Sequence, residues 1–395
     1  MVLMLIISDY GGFNNFLTEL SSSIAGNTNN SLHVVCSNLK VIDIPDKNVV
    51  NKENIHFHFI NIPRTITIIG QIKAAKKIRS IIKKVKPDLV HSHFTTSTFP
   101  TILFRKKAFS YWSTIHGVGM NSTYGLRKMI FTIVETIIFM RLDKIFVLNT
   151  QDYTLLRKKF LNKVTKYRCF GMGCDIDKFN VNKYSLEKRN ELKTELNIGS
   201  NQVVIAFTGR YVKFKGFDIV IKIFERLNQK HPNKYKLILM GGFDPIHQTG
   251  LDNNEIQFFN NNPNILNIGF TIDVDKYLSI TDIFLFPSKK EGLPTCILEA
   301  LAMGVNVVTF DSRGNNDIIK HQYNGILIKP SRSLEKDVTN MIVGIEALTE
   351  NTNTGILLTA NALRDRDQYS RQRFIDEHLK YYSDFMELQT NHKIN

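Results

Sequence analysis

The sequence predicts an α/β protein built from two Rossmann-like domains that face each other across a cleft. Three observations carry this. The chain has 395 residues, too many for one ordinary domain. Apolar strand-like runs that pass through a Gly-bearing turn into a helix open the chain, and the same pattern restarts near residue 203. The second half is organised around residues 288–319, SKKEGLPTCILEALAMGVNVVTFDSRGNNDII, which read as loop, helix and buried strand. Domain boundaries follow as 1–180, 181–368 and a C-terminal helix, 369–395, expected to pack back on the first domain.

In order, residues 2–8 form a strand, too short and without the basic start of a signal peptide. Gly11-Gly12 turns it into a helix from about Asn14 to Ala25. No G-x-G-x-x-G fingerprint is present. Strands follow at 32–36 and 55–60, the second with solvated His56 and His58 alternating with apolar residues. Residues 72–85 read as a basic amphipathic helix. Lys73, Lys76, Lys77, Arg79, Lys83 and Lys84 occur in it without an acidic residue. That face is either simply solvated or attracted to anionic lipid headgroups. A strand ends at His91-Ser92-His93, another at His116-Gly117, and strand ends are where open α/β sheets place ligands. Residues 124–140 form an apolar helix. Its apolar core is about a dozen residues and contains Glu135, short of the roughly 20 that span a bilayer.

After a Gly-rich linker turn at Gly171-Met172-Gly173-Cys174, the pattern restarts. A strand at 203–209 ends in Gly209-Arg210, a loop carries Lys213, Lys215 and Gly216, and a helix covers about 217–230. Three cations between strand and helix suit an anion, although no Walker A loop is present. A strand at 236–242, further strands at 265–268, 282–287 and 324–328, and helices at 334–349 and 370–387 complete the chain.

In the organising stretch, Pro294 suits a first helical turn and Gly304 the position past a helix end. A Gly- and Pro-bearing loop leading into a helix leaves backbone N–H groups for a phosphate. Glu291 and Glu299 are eight residues apart, about 12 Å if all of them were helical. That exceeds the roughly 5–9.5 Å of a glycosidase pair and suits two carboxylates on opposite ends of one elongated ligand. Glu299 lies in an apolar run, where an unpartnered charge is costly.

Apolar content is 43%, charged content 22% and formal charge +15, so anionic partners are expected. Cys36, Cys169, Cys174 and Cys296 show no metal or redox spacing and read as free thiols in a reducing compartment. A soluble or peripheral protein follows.

The set His116-Gly117, Gly171-Met172-Gly173-Cys174-Asp175-xx-Lys178-Phe179, Gly209-Arg210-x4-Lys215-Gly216 and Glu291-Gly292-x6-Glu299-Ala300 resembles the family-4 retaining glycosyltransferases of GT-B fold. The resemblance covers roughly residues 3–385 and is greatest to bacterial enzymes of capsule, exopolysaccharide and O-antigen assembly. It implies transfer of a hexose or N-acetylhexosamine from a nucleotide diphosphate, UDP favoured, to a growing glycan on a polyprenyl diphosphate. It further implies a cytoplasmic protein, with an anionic membrane surface as a candidate contact at the inner face of the cell membrane. Catalytic roles fall on Glu291, His116, Arg210 and Lys215. Donor binding falls on Gly11, Gly12, Gly209, Gly292, Leu293, Pro294, Thr295 and Glu299, the last on the ribose. Neither metal nor cofactor is implied. The pairs Asp175/Asp177, Asp273/Asp275 and Asp365/Asp367 are read as chance D-x-D matches. Where many members carry Gly-Gly-x-x-Glu, this chain has Arg313-Gly314-Asn315-Asn316-Asp317, ending in a shorter acid. The alternatives are a GT-B sugar-nucleotide epimerase and a nucleic-acid-binding protein. Missing aromatic interleaving in the basic helix disfavours the second.

Overall fold

A computed structural model describes residues 1–7, 14–25, 30–37, 54–63, 68–121, 125–245 and 247–394. Gly11 and Gly12 lie outside them. The chain forms two compact units, Met1–Gly171 with Gln372–Asn395, and Met172–Arg371.

The first unit is a seven-stranded parallel sheet of order β3-β2-β1-β4-β5-β6-β7. Its strands are β1 (Val2–Ile7), β2 (Ser31–Ser37), β3 (Ile55–Ile60), β4 (Leu89–His93), β5 (Ser110–Ile115), β6 (Lys144–Val147) and β7 (Val164–Lys166). β1 is buried almost throughout, as an interior strand of a sheet covered on both faces must be, which is why it reads as an unbroken apolar run. The helices are α1 (Asn14–Ala25), α2 (Ile68–Val85), α3 (Thr95–Leu103), α4 (Gly125–Met140) and α5 (Thr150–Phe160). α2 starts four residues before the expected position.

The second unit is a six-stranded parallel sheet of order β10-β9-β8-β11-β12-β13. Its strands are β8 (Val203–Tyr211), β9 (Tyr235–Phe243), β10 (Ile265–Gly269), β11 (Ile283–Phe286), β12 (Asn306–Phe310) and β13 (Ile326–Ile328). Its helices are α6 (Leu186–Glu195), α7 (Phe217–Lys230), α8 (Asn253–Asn261), α9 (Val274–Leu278), α10 (Thr295–Ala302), α11 (Asn315–Ile318), α12 (Leu334–Glu350) and α13 (Thr352–Arg364). The strand order reverses direction between β8 and β11. Open α/β sheets place ligands at such a switch point.

The last helix, α14 (Arg371–Ile394), belongs almost wholly to the first unit. Tyr382 Oη meets His91 Nδ1 at 2.7 Å and His378 Nε2 meets Tyr167 Oη at 2.8 Å. The Glu377 carboxylate accepts the Arg168 and Cys169 N–H groups. The chain crosses between the units at Gly171/Met172 and Arg371/Gln372, and just inside the second unit the two segments are bonded to each other. Cys174 N–H donates to Tyr369 O at 2.8 Å and Arg371 N–H to Cys174 O at 2.9 Å.

Candidate active site

The C-terminal ends of β8 and β11 hold the densest cluster of expected site residues. After β8, the short turn Lys213–Lys215 runs into α7 through Gly216 at φ 76°. A Cβ on Gly216 would lie 2.3 Å from Pro287 O, so only glycine lets this loop sit against the exit of β11. That contact brings together residues far apart in sequence. Lys215 Nζ donates to Glu291 Oε1 at 2.7 Å and Oε2 at 2.9 Å. Ser288 Oγ donates to Glu291 Oε1 at 2.6 Å and Lys215 lies 5.6 Å over the Phe286 ring. The carboxylate is nearly buried, so its charge is compensated by the ammonium and the hydroxyl together.

A second layer fixes the backbone. Arg313 Nε donates to Glu291 O at 2.9 Å. The buried Asn315 Nδ2 lies within 2.9 Å of both Ser288 O and Thr309 Oγ1. Gly314, at φ 82°, passes so close that a Cβ would be 2.8 Å from Gly292 O. Ser288 and Asn315 were not singled out in the sequence. Asn315 stands in the Arg313–Asp317 stretch that departs from the common pattern, and its anchoring of Ser288 gives that stretch a structural role.

α10 starts at Thr295 with Pro294 as N-cap, and no side chain caps it. Glu291 is thus in the loop before the helix. The eight-residue separation from Glu299 is not a helical rise, which corrects the 12 Å expectation. Glu299 lies within α10 in a different group. Burial pushes its carboxyl up to about 7 against the opposing charges of Arg371 and Lys178, with Asp275 adding to the rise. Lys178 Nζ lies 3.8 Å from Asp275, which also accepts the Tyr184 hydroxyl at 2.6 Å. Burial also raises the Cys296 thiol.

Arg210 has a partner of its own. Its guanidinium pairs with Asp244 at 2.6 Å and lies 5.2 Å from the Phe214 ring centroid, half-exposed at the end of β8. Gly209 adopts φ 148° on the same strand end.

His116 belongs to the first unit. It stacks on Phe94 at 4.1 Å and its Nε2 lies 3.4 Å from His93 Nδ1. Burial pushes His116 down to about 3, so the ring is neutral at pH 7. His91, His93 and His378 offer nitrogen atoms within 4.8 Å of one another. His91 uses both ring nitrogens on Tyr382 and Thr114, and His378 uses both on Tyr167 and Phe374 O. The group is thereby a hydrogen-bonded core in which two of the three potential ligands are already engaged. Of the two histidines read as solvated, His56 is exposed and His58 half-buried, and both meet His33. His58 Nε2 lies 3.0 Å from His33 Nδ1, and His56 stacks on His33. Two acids of the chance D-x-D pairs have local duties: Asp175 accepts Lys178 N–H and Asp275 accepts the Tyr184 hydroxyl, whereas Asp273 stands at the N-cap position of α9 without a side-chain cap bond. Asp365 and Asp367 sit at a helix end and in a 3₁₀ turn.

Two family descriptions match the chain. "Glycosyl transferases group 1" covers residues 188–352 and "Glycosyl transferase 4-like" residues 11–149. The chain belongs to these glycosyltransferases. Among its relatives is the capsular polysaccharide biosynthesis glycosyltransferase CapM of Staphylococcus aureus, 23% identical over 76% of this chain and 77% of that one. Another is the UDP-Gal:alpha-D-GlcNAc-diphosphoundecaprenol alpha-1,3-galactosyltransferase of Escherichia coli, 25% identical over 67% of this chain and 68% of that one. The structure of sucrose-phosphate synthase from Thermosynechococcus elongatus aligns with a TM-score of 0.79 at 17% identity, over 98% of this glycosyltransferase and 100% of that chain. The fold is GT-B, two parallel-sheet α/β domains.

Proposed function

We propose that this glycosyltransferase moves a sugar from a UDP-sugar to a growing lipid-linked glycan in surface-polysaccharide biosynthesis, with retention of anomeric configuration and without a metal. It would work at the inner face of the cytoplasmic membrane. The observation that carries the reading is the Lys215–Glu291–Ser288 cluster beside the uncapped start of α10, at the strand-order reversal of the second unit. In this reading the Lys215 ammonium and the backbone of Gly292, Leu293 and Thr295 take the diphosphate. They stabilise the charge that develops on it as the glycosidic bond opens. Glu291, held rigid by Lys215 and Ser288, accepts hydrogen bonds from the donor sugar. Glu299 takes the ribose. Retention and the acceptor class rest on the family resemblance and on the E. coli relative, whose name includes a diphosphoundecaprenol acceptor.

The test is turnover of a panel of UDP-, GDP- and ADP-sugars with a polyprenyl-diphosphate-linked acceptor. Glu291→Gln and Lys215→Ala should each cost about 100-fold or more in kcat/KM while the protein stays folded, and chelator should change nothing. Full activity in either variant refutes the assignment, and loss on chelation refutes metal independence.

A further inference from the structure

The outer helices of the first unit form one layer. β1 to β3 step one way across the sheet. The crossovers from β3 to β7 step the other way, and right-handed crossovers put α2, α3, α4 and α5 on the same face. The packing agrees: Ile78 and Ile82 of α2, Ile102 of α3, Ile138 of α4 and Leu156 of α5 share one core cluster.

Two features of that layer have no role in the nucleotide chemistry. First, α4 carries an exposed apolar stripe at helical spacing: Leu126, Met129, Ile130, Ile133, Ile137 and Met140, each 44–68% exposed. The opposite side of α4 is committed to the fold. Ile138 and Phe139 are buried, and Glu135 accepts the Gly119 and Met120 N–H groups at 2.7 Å. A stripe of this size on a helix whose other face is occupied marks an interaction surface. Second, the layer shows no exposed acid on its helices. The acidic residues of α2 to α5 are Glu135 and Asp152, both buried. The basic side of α2 reaches toward the end of α3, where Arg79 lies 5.8 Å from the Phe104 ring. At the end of α4, Lys163 donates to Met140 O and Leu142 O, and Arg105 pairs with Asp143.

We infer that this layer is a membrane-docking face. The α4 stripe seats in the headgroup–acyl boundary of an anionic lipid surface, and the basic face of α2 draws the protein to it. Apolar residues of a helix lying in the interface contribute by burial, and neighbouring cations contribute through the surface potential. A second copy of the chain is the poorer occupant, because pairing two such faces would bring the cations of one layer against those of the other. No described helix is long and apolar enough to cross a membrane, so the contact is peripheral. The inference deepens the proposed function and rests on it for its purpose. The surface rests on the residues just named.

The test is co-sedimentation of the full chain with phosphatidylcholine vesicles, with and without phosphatidylglycerol, at low and high salt. Wild type should pellet with the anionic vesicles, and a residual fraction should survive high salt. The triple variant Met129→Gln, Ile133→Gln, Ile137→Gln should lose at least about tenfold in partitioning at both salt concentrations. Lys76→Glu, Lys77→Glu, Lys83→Glu, Lys84→Glu should lose about 100-fold, only at low salt and only on anionic vesicles. Far-UV circular dichroism and the melting temperature report folding of each variant. A stripe variant that pellets like wild type overturns the inference. So does wild type that ignores vesicles but self-associates, in sedimentation velocity, through the same three residues. Transfer to a detergent-dispersed acceptor separates the two proposals: if it persists while vesicle binding fails, only the docking face is refuted.

Discussion

Replacing Glu299 by Gln tests two properties of one carboxyl group. Burial raises it from 4.5 to about 7 in the folded chain. At 1.36 kcal/mol per unit that is about 3 kcal/mol at most, and about 2 once the side chain's partial hydration is allowed for. The sign is set by proton uptake. Between pH 4.5 and 7 the folded state holds a proton that the unfolded state has released, so stability falls as pH rises through this window. Glu299 therefore costs nothing below about 4.5, and its full cost is present above about 7. Glu299→Gln mimics the protonated form. It should melt close to wild type at pH 5 and roughly 5 °C higher at pH 8.5, taking about 2–4 °C per kcal/mol for a unit of this size. The same variant should bind UDP more weakly at pH 8.5, because an amide has one acceptor oxygen where a carboxylate has two. The assay is differential scanning fluorimetry with and without UDP at both pH values. Equal melting differences at pH 5 and 8.5 would refute the raised pKa, and an unchanged UDP-induced shift would refute the ribose role.

Removing Lys215 alone should be more damaging than removing the pair. Lys215→Met leaves the nearly buried Glu291 carboxylate without its cation, at about 2–3 kcal/mol, and adding Glu291→Gln should recover much of that; urea unfolding of the two single variants and the double measures it. Gly216→Ala should destabilise by about 3 kcal/mol or more, since its Cβ would meet Pro287 O at a left-handed φ, and the melting temperature reports it. The histidine core sets an opposite pH trend. Burial holds His116 near 3 and His378 near 4, with His91 and His93 also well below 6.5. Folded protein thus binds fewer protons than unfolded protein below pH 6.5, and thermal stability should fall as pH drops from 7 to 5; a flat profile would contradict buried neutral histidines. Lys215→Ala should weaken binding of UDP far more than of uridine, whereas Glu299→Gln should weaken both, as isothermal titration would show.

The sheets were legible because parallel strands buried on both faces leave unbroken apolar runs, and β1, β11 and residues 203–207 of β8 are such runs. The helix of residues 217–230 was legible from its strong apolar side and the glycine before it. α3 was not: Thr95, Thr96, Ser97 and Thr98 favour caps and turns, and Pro100 sits inside it. Tertiary packing forms it nonetheless, with Thr98 Oγ1 within 2.9 Å of Ser92 Oγ and of Ser113 Oγ on β4 and β5. α13 was missed for a similar reason: Thr352, Asn353, Thr354 and Gly355 open it with residues that favour caps and turns, and no acid stands in its first turn, although Asn351 caps it. At the candidate site, Glu291 and Lys215 could be named but their pairing could not. It depends on which strands neighbour one another, and β8 and β11 are separated in sequence by two further strands that lie outside the pair.

The hydrogen-bond inventory of the cluster shows why a loop glutamate and a turn lysine can serve one ligand together. An ammonium has three donors, and Glu291 takes two from Lys215, one at each oxygen. Ser288 occupies a further site on Oε1 but none on Oε2. The third Lys215 donor and the second lone pair of Glu291 Oε2 are thus the valences this cluster can offer outward, one suited to a phosphate oxygen and the other to a hydroxyl. An anion at Lys215 and a sugar hydroxyl at Glu291 would then lie beside each other without either breaking the ion pair that positions them. Substituting Arg for Lys215 would keep the charge but replace a compact three-donor head with a planar fork. Charge alone therefore does not account for lysine at this position; the geometry of the pair with Glu291 does.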